Sequence, residues 1–593
     1  MTLLLLLLLP LLVGLLLPLL PPGRSGLVRG LAAGAALAQL VVGLLAWRQP
    51  PPALSLEWLP RLGLGLDLGL DGLSLPLVLL TGLITAMAVL ASPADQARPR
   101  LYYALMLATN LGAVGAFLAR NALLFVLAFE LVLIPTTLLL AIWGGERRAG
   151  AAVRFLLYGA VSGLSLLGGV LAFGWFGQGA AGADTAVSFC FEALAATPLP
   201  ASAQRWVLAL LFVLAFELVL IPTTLLLAIW GGERRAGAAV RFLLYGAVSG
   251  LSLLGGVLAF GWLGQGAAGA DTAVSFSFEA LAATPLPASA QRWVLALLVL
   301  GFGIKLPVVP LHGWQPISYA EAPPPVVMLL GGVVSKLGAY GLLRFGVGLL
   351  PDAWSAFSPW IAAAGAVSAV YGALNAVAAT DIRRLMAYSS LGHMGLLVLA
   401  LAAATPMSLQ GAMAQVLAHG LIVALLFDCV GLIQRKTGTT VIAELSGLMN
   451  PIRGLPFTMG LMLLALMAAA GIPGLAGFPA ELLVFEGSWT VFPRATLICI
   501  VASGFTAVYA VRLFNRVGFG RLDNSRADWQ STRLAERLPA VVLTTLVVLA
   551  GIWPVGLTAW SEASTAAIAL RHSDPVVQQL ALAPSSSSLS LPA

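Results

Sequence analysis

Long apolar runs, separated by short polar clusters, extend along nearly the whole chain. A helix that crosses a bilayer needs about 20 mostly apolar residues, and the runs have that length. The pattern therefore predicts an all-α polytopic membrane protein with about sixteen spans. Each predicted span boundary has an uncertainty of roughly 3 residues in either direction. The predicted spans are 3–20, 27–46, 73–92, 101–118, 122–143, 154–176, 206–230, 241–263, 293–311, 324–350, 358–379, 385–404, 411–434, 455–486, 494–515 and 538–560.

The basic residues between these spans predict how the chain is oriented. Cytoplasmic loops of membrane proteins carry an excess of Lys and Arg. Loops that follow odd-numbered spans hold 21 basic residues, and loops on the opposite side hold 8. We therefore expect both termini to lie outside the cytoplasm. The first run has no basic stretch ahead of it and is longer than the core of a signal peptide, so we expect it to be a span.

One part of the chain occurs twice. Residues 122–211 recur as 209–298, offset by 87 positions, and the copies differ only at Phe176/Leu263 and Cys190/Ser277. Copies this similar indicate either a recent duplication or an error in the gene sequence. The extra unit adds two spans and so preserves the orientation of everything downstream. Without its 87 residues the chain of 593 has 506 residues and fourteen predicted spans, which we take as the ancestral design.

The composition narrows the class of protein. Hydrophobic residues make up 60% of the chain and charged residues 9%, against roughly 25% charged in soluble domains. This balance excludes a soluble globular protein, a disordered chain and a nucleic-acid-binding protein, despite the net charge of +7. Cys190, Cys429 and Cys499 lie far apart and form no disulfide framework, metal-ligand spacing or iron–sulfur motif.

Lysine is rare, and its positions carry information. Only three of the 31 basic residues are lysine. Lys436 lies in a polar turn, but Lys305 and Lys336 lie inside apolar segments, where a charge costs about 2.5–3.5 kcal/mol on insertion scales and so indicates function. Pro307 and Pro310 interrupt the helix after Lys305, and interrupted helices at membrane depth line ion sites in transporters. The alternatives are a snorkelling Lys305 and a Lys336 paired with a backbone carbonyl.

Carboxylates occur in similar surroundings. A proline follows Glu130 and its copy Glu217 five residues later, and this proline frees a backbone carbonyl. Glu481 follows a Gly/Pro-rich interruption at 471–478. Structural hydrogen bonding by Glu130 or Glu217, and a solvent-facing helix end at Glu481, are the alternative interpretations. Asp428 is a weaker candidate.

Two histidines complete the set. His393 and His419 lie within predicted spans, although a single apolar-face histidine is often a core residue with satisfied hydrogen bonds. A buried amine loses its proton more readily, a nearby carboxylate restores it, and arginine cannot make this exchange. The carboxylates, lysines and imidazoles in the membrane interior therefore predict proton transfer. The sequence has no Gly-rich phosphate loop, haem ligand pair or nucleophile–base arrangement that would predict catalysis on a bound substrate.

Several long motifs resemble one known family, the antiporter-like proton-pumping subunits of respiratory complex I. The resemblance is to the chain 4 or M-type group of NAD(P)H–quinone oxidoreductase, in particular its cyanobacterial and plastid branch. The motifs are Phe129-Glu-Leu-Val-Leu-Ile-Pro, Lys305-Leu-Pro-Val-Val-Pro-Leu-His-Gly-Trp-Gln-Pro, Tyr319-Ala-Glu-Ala-Pro, Ser335-Lys-Leu-Gly-Ala-Tyr-Gly-Leu-Leu-Arg-Phe, Tyr388-Ser-Ser-Leu-Gly-His-Met-Gly and Gly471-Ile-Pro-Gly-Leu-Ala-Gly-Phe.

The resemblance implies fourteen core transmembrane helices in two inverted five-helix repeats with broken helices, plus the duplicated helix pair. It implies these site residues: Glu130 or Glu217 as the fifth-helix glutamate, Lys305 on the first broken helix, Lys336 as the central lysine, His393 and His419 as connecting histidines, and Glu481 as the exit-side group on the second broken helix. Glu130 has the native upstream context. Glu217 has the native spacing to Lys305, and we expect it to be the partner because a short connection more readily recreates native neighbours.

The resemblance also implies partners. Other membrane and peripheral subunits of the complex would hold NAD(P)H or another donor, iron–sulfur clusters and quinone (plastoquinone). This chain itself would bind no cofactor or metal. It would contact membrane lipid and no nucleic acid. The expected location is a cyanobacterial thylakoid or a bacterial inner membrane. A multisubunit cation/proton antiporter subunit and a hydrogenase-type membrane arm are the alternatives. A purely structural scaffold would leave the mid-membrane lysines unexplained.

These features predict six segments along the chain. They are the N-terminal helices (1–121), the first copy of the repeated unit (122–208), its second copy (209–298), the lysine-bearing broken helix with the following helix (299–350), a second half with the His and Glu residues (358–515), and the last helix with the C-terminal tail (516–593).

Overall fold

The computed structural model describes residues 1–59, 64–144, 288–521, 529 and 531–572. Helices dominate these residues, and a two-stranded antiparallel hairpin, β1 (Glu57–Leu59) with β2 (Leu64–Gly65), is the sheet they contain. The predicted all-α fold is confirmed. Most of the repeated unit, including Glu217, Cys190 and the spans predicted at 154–176, 206–230 and 241–263, lies outside the described residues.

The helices divide into two groups along the chain. The first group is α1 (Thr2–Leu16), α2 (Ser25–Arg48), α3 (Ser74–Ala91), α4 (Pro99–Leu118), α5 (Ala122–Leu131) and α6 (Leu133–Trp143). The second group is α7 (Ala288–Lys305), α8 (Gln315–Glu321), α9 (Pro324–Val347), α10 (Pro351–Ala378), α11 (Ile382–Ala403), α12 (Pro406–Thr437), α13 (Pro456–Ala469), α14 (Gly477–Trp489), α15 (Pro493–Phe519), α16 (Leu534–Ile552), α17 (Val555–Thr558) and α18 (Glu562–Leu570).

Ten helices among the described residues are long and apolar enough to cross a membrane. They are α1 with its 3₁₀ extension to Leu19, α2, α3, α4, α9, α10, α11, α12, α15 and α16. The region predicted as one span at 455–486 forms two helices instead, α13 and α14. The number sixteen stays a prediction, because three of the predicted spans lie outside the described residues.

The chain contacts itself in two compact units. Among the described residues, the first unit comprises those within 1–69, 81–144 and 296–337, and the second unit comprises those within 70–80, 288–295 and 338–572. In the first unit α4 packs against α1, α2, α5 and α6. Small residues permit this approach, since a Cβ on Gly112 of α4 would lie 2.9 Å from the Val132 backbone nitrogen at the end of α5. This close contact fixes the position of α5, the helix that carries Glu130.

The long helix α12 is the centre of the second unit. Thr405 and Ser408 form a capping box at its start, with both side-chain-to-backbone hydrogen bonds at 3.0 Å. Arg435 and Lys436 complement the helix dipole in its last turn, and Gly438 ends the helix with a φ of 78°. α11, α13, α14 and α16 surround α12, so its interior side chains are removed from lipid.

Small residues also join α10 to α11, the helix that carries His393. A Cβ on Gly372 would lie 2.5 Å from the Gly392 nitrogen, and a Cβ on Gly395 would lie 2.5 Å from the Ala369 nitrogen. Asp381 caps the start of α11 by accepting hydrogen bonds from the backbone N–H groups of its first turn. The close packing and the cap together hold α11 in one position against its neighbour.

Candidate functional site

His393 lies inside the second unit, with 7% of its surface exposed. Its Nδ1 lies 2.8 Å from the Ser389 carbonyl oxygen, one turn earlier on α11. Its Nε2 lies 2.9 Å from the Ala469 carbonyl oxygen, at the end of α13. A carbonyl oxygen only accepts hydrogen bonds, and a neutral imidazole has one N–H to donate. The geometry therefore favours the doubly protonated, cationic ring.

The Ala469 carbonyl is available because the helix is broken there. In a continuous helix this carbonyl would accept from the N–H of residue 473, but Pro473 has none. Gly471 and Gly474 have φ values of 66° and 89°, a backbone conformation that glycine adopts without strain. The Gly/Pro interruption noted in the sequence thus supplies a backbone acceptor to His393.

Glu481 lies in the first turns of α14, after this break, and is 5% exposed. Its Oε1 lies 3.4 Å from His393 Nε2, so the carboxylate is a counter-charge for the imidazolium. Its Oε2 accepts a hydrogen bond of 2.8 Å from the Ser503 hydroxyl on α15. A buried charge is stable only when it is paired and hydrogen-bonded, and Glu481 meets both conditions.

His419 on α12 completes this cluster. The centres of its ring and the His393 ring lie 5.6 Å apart. Both rings line a small cavity together with Gln415, Ser390 and Glu481. The cavity offers about 10 Å³ to the centre of a water molecule, which is the space that one water needs. One water between these polar groups can link the two imidazoles to each other and to the carboxylate.

Lys336 lies in the first unit and is fully buried. A π-helical stretch, Leu330–Val334, precedes it in α9 and disturbs the regular pairing of backbone groups. The Lys336 ammonium donates to the Gly331 carbonyl at 2.5 Å and to Ser335 Oγ at 3.3 Å. The amine is thus held by its own helix, as one of the interpretations of the sequence anticipated.

Lys305, also in the first unit, ends α7 and is 2% exposed. Its Nζ lies 4.6 Å from the centre of the Phe129 ring on α5. Because Pro307 lacks an N–H, the Gly303 carbonyl accepts from Val308 instead. The interrupted helix therefore places the lysine against the helix from the first copy of the repeated unit.

The structure brings three of the predicted site residues together. His393, His419 and Glu481 form one cluster in the second unit, and Lys305 and Lys336 belong to the first unit. The backbone of Glu130 lies in α5, next to Phe129, and Glu217 lies outside the described residues. Asp428 is buried in α12, and neither of its carboxylate oxygens has a hydrogen-bond partner among the described residues.

The sequence interpretation missed four hydroxyl groups around His393 and Glu481. These belong to Ser389, Ser503, Thr506 and Tyr509. A signal was present, because Ser503, Thr506 and Tyr509 recur at every third position of α15, the spacing at which successive side chains are neighbours on a helix.

This arrangement can store and move protons. Across the described ranges, no group of three or more His, Cys, Asp and Glu residues could hold a metal ion. The groups present are an imidazole pair, a carboxylate, two amines and several hydroxyls, and each can accept or release a proton or relay one.

Comparison with known proteins gives the family. Residues 119–191 and 208–506 match the family described as NADH:quinone oxidoreductase/Mrp antiporter, TM. The second matched segment begins one residue before the second copy of the repeated unit. The chain is 31% identical to NAD(P)H-quinone oxidoreductase chain 4 2 of Thermosynechococcus vestitus over 96% of its own length and 91% of the relative. It is 32% identical to the relative named NAD(P)H-quinone oxidoreductase chain 4 1 of Synechococcus sp. (strain JA-3-3Ab), over 95% of this chain and 92% of that relative.

Solved structures show the same fold. A chain of respiratory complex I from Thermus thermophilus aligns with a TM-score of 0.74 and 25% identity, covering 97% of this chain and 100% of that one. A chain of the Mrp complex from Dietzia sp. DQ12-45-1b aligns with a TM-score of 0.69 and 19% identity, covering 98% of both chains. The protein is a multi-pass integral membrane protein and belongs to the family of antiporter-like NADH:quinone oxidoreductase and Mrp antiporter membrane subunits.

Proposed function

We propose that this chain is the proton-translocating membrane subunit of an NAD(P)H–quinone oxidoreductase of the complex I type. The buried pair of His393 and Glu481, 3.4 Å apart and adjacent to His419, is the observation that carries the proposal. Ion pairs of this kind are expensive inside a membrane and are kept where protons or ions move. The chain 4 relatives, similar over nearly their whole length, support the assignment to a quinone-linked complex.

The residues have distinct parts in this proposal. Lys305 and a glutamate of the repeated unit, Glu130 or Glu217, form the charge pair that responds first. Lys336 is the central group, which takes up a proton when a negative charge approaches and releases it when that charge leaves. His393 and His419 connect Lys336 with Glu481 and carry the proton between them. Each step moves a proton between neighbouring bases and forms no other bond.

The electron chemistry belongs to other subunits in this proposal. NAD(P)H or another donor, iron–sulfur clusters and quinone are bound there, and quinone reduction supplies the driving force. The expected membrane is a cyanobacterial thylakoid or a bacterial inner membrane. The residues of this chain hold and move protons between the two sides of that membrane.

The test is donor-driven proton uptake by sealed membrane vesicles that contain the complex with Lys336→Ala. Quinone reduction by the uncoupled complex measures assembly, and Lys436→Ala is the matched control because this lysine pairs with Glu536 at 3.1 Å on the polar end of α12. We expect Lys336→Ala to lower proton uptake by at least about tenfold with quinone reduction retained, while Lys436→Ala leaves both intact. Normal proton uptake in Lys336→Ala would refute the proposal.

A cation/proton antiporter subunit is the second candidate, favoured by the shared fold with the Mrp complex chain. The two functions differ in coupling. A pump moves protons only while quinone is reduced, whereas an antiporter exchanges Na⁺ for protons without an electron donor. Sodium-gradient-driven proton movement in vesicles without donor, abolished by Lys336→Ala, would favour the antiporter.

A further inference from the structure

Polar side chains recur at every third residue through the otherwise apolar helix α15. They belong to Ser503, Thr506, Tyr509 and Arg512, and the line they form winds around the helix, because three residues turn it by about 300°. At a rise of 1.5 Å per residue, the line from Ser503 to Tyr509 covers about 9 Å of membrane depth. Ser503 donates to Glu481, and Arg512 is exposed at the end of the helix. The line therefore joins the buried carboxylate to the face that carries most of the arginines.

Hydrogen bonds connect the members of this line. The Tyr509 hydroxyl donates to Ser389 Oγ at 2.7 Å and lies 3.2 Å from Thr506 Oγ1. Ser503 donates to Glu481 Oε2 at 2.8 Å. A small cavity lies between these two pairs and is lined by Ser389, Ser503, Thr506, Tyr509 and His393. It offers about 10 Å³ to the centre of a water molecule, enough for one water to bridge the hydroxyls.

Tyr509 also lines a second, open space. A groove of about 310 Å³ lies between the end of α10, the 3₁₀ turn at Ile442–Glu444 and the end of α15. Thr380, Ile442, Tyr509, Arg512 and Arg516 line it. Both arginines are exposed, so the groove opens to the outside of the chain. The phenol side chain, which is 2% exposed, thus lies between this open groove and the inner cavity beside Glu481.

We propose that Glu481 exchanges its proton with the arginine-bearing face, which the charge bias assigns to the cytoplasm, through the hydroxyls of Tyr509, Ser389 and Ser503. Tyr509 is the relay residue at the mouth of this route. The inference deepens the proposed function and rests on it. It departs from the exit-side role that the family resemblance implied for Glu481, since the described hydrogen bonds lead from Glu481 towards the opposite face.

The proton balance of the route is simple. A hydronium ion in the groove gives a proton to the Tyr509 oxygen and becomes water, while the phenolic proton passes to Ser389 Oγ. The Ser389 proton passes to the cavity water, a proton of that water passes to Ser503 Oγ, and the Ser503 proton passes to Glu481. Every hydroxyl loses one proton and gains one, so the net change is one proton moved from hydronium in the groove to the carboxylate, which becomes neutral.

Tyr509→Phe is the first test, because it removes the hydroxyl and keeps the ring that fills the space. We expect donor-driven proton uptake by vesicles to fall about tenfold, with quinone reduction by the uncoupled complex unchanged. Tyr371→Phe is the matched control, the same substitution on α10 at a side chain that is 37% exposed. Unchanged proton uptake in Tyr509→Phe would overturn the relay.

Chemical labelling is the second test, and it does not depend on pumping. Two variants of the complex are made, one with Ser503→Cys alone and one with Ser503→Cys and Tyr509→Ala together. Tyr509→Ala removes the side chain that lies between the groove and the inner cavity. We expect a membrane-impermeant methanethiosulfonate to label the double variant from the cytoplasmic face and to leave Ser503→Cys alone unlabelled. Tyr509→Ala measures the background from the native cysteines Cys190, Cys429 and Cys499, of which Cys429 and Cys499 are buried. Labelling only from the opposite face would overturn the route.

Glu481→Gln separates failure of the route from failure of the proposed function. If Glu481→Gln pumps normally, the proposed function is wrong at this residue. A second set of results would refute the route and leave the proposed function standing. In that set Glu481→Gln stops pumping, Tyr509→Phe pumps normally, and the reagent labels Ser503→Cys only from the non-cytoplasmic face.

Discussion

The buried charges of the two units are satisfied in different ways. In the first unit Lys336 donates to the backbone of its own helix, and Lys305 lies over an aromatic ring of α5. In the second unit His393 and Glu481 bind each other, and side chains of α11, α12, α14 and α15 surround them. The first unit holds its amines against backbone, hydroxyl and aromatic groups, and the second unit presents a connected network of side chains.

This difference teaches how a proton can be held in one place and passed on in another. A buried amine holds its proton more tightly when a carboxylate approaches and releases it more readily when the carboxylate leaves. A network of imidazole, carboxylate and hydroxyls offers several acceptors within hydrogen-bond distance, and a proton can move along it in short steps. We therefore expect substitutions in the second unit to couple strongly to each other.

The largest expected effect tests that coupling. Glu481→Gln and His393→Gln should each lower donor-driven proton uptake by about a hundredfold, because each removes one half of the buried pair. The double variant should be no worse than either single variant, since residues that act as a unit are not additive. Proton uptake in vesicles measures all three. A double variant whose loss is the product of the single losses would show that the two residues act independently.

The next effect concerns the repeated unit and the first lysine. Phe129 brings the helix of the first copy against Lys305 and precedes Glu130 in the sequence, which is the reason to test Glu130 beside Glu217, the partner that the sequence spacing favours. Glu130→Gln should lower proton uptake about tenfold and Glu217→Gln should leave it unchanged. The reverse result would support the prediction from sequence spacing. Equal losses in both variants would show that the two copies share the role.

A smaller effect tests how far Lys336 depends on its own helix. Ser335 Oγ lies 3.3 Å from the ammonium nitrogen and donates to the same Gly331 carbonyl at 3.0 Å. Ser335→Ala removes one hydrogen bond worth about 1 kcal/mol, so we expect a several-fold loss of proton uptake. Ser368→Ala on α10 is the control, because its hydroxyl bonds the backbone of its own helix. A loss as large as that of Lys336→Ala would show that the serine has a proton-carrying role.

The smallest effect is on stability. Asp71 accepts hydrogen bonds from Leu73 and Ser74 at the start of α3 and forms an ion pair with Arg344. Burial raises the pKa of this carboxyl, but the guanidinium and the hydrogen bonds outweigh it and bring the pKa below the ordinary 3.8. The stabilisation is therefore complete above that value and is lost as the pH falls through the lowered pKa.

Asp71→Asn should destabilise the protein by about 1 kcal/mol or less, since the side chain is partly exposed to water. Thermal unfolding of the purified complex near neutral pH measures this difference. Asp95→Asn, at an exposed position, is the control. The difference between wild type and Asp71→Asn should shrink in acid, and a difference that grows on acidification would contradict the assigned sign.

Much of the fold and part of the site could be predicted from the sequence. Apolar runs of membrane-spanning length, the glycines and prolines around 471–478 and the rarity of lysine led to the helices, the broken helix and the buried amines. These features are local, since length, hydrophobicity and missing N–H groups act on the segment that contains them. The grouping of His393, His419 and Glu481 depended on the family resemblance, because residues far apart in sequence approach only through packing.

The sequence by itself determined that this chain spans a membrane and that its helices break at identifiable glycines and prolines. It also determined that ionisable groups lie in segments where the hydrocarbon surroundings raise the free energy of a charge. Only the tertiary structure decided that the Ala469 carbonyl accepts a hydrogen bond from His393 and that Ser503 donates one to Glu481. It also decided that Tyr509 lines both the groove and the inner cavity. A hydroxyl in an apolar helix has the same local chemistry whether it bonds its own backbone or another helix. Its function depends on which side chains the packing of the neighbouring helices brings within hydrogen-bond distance.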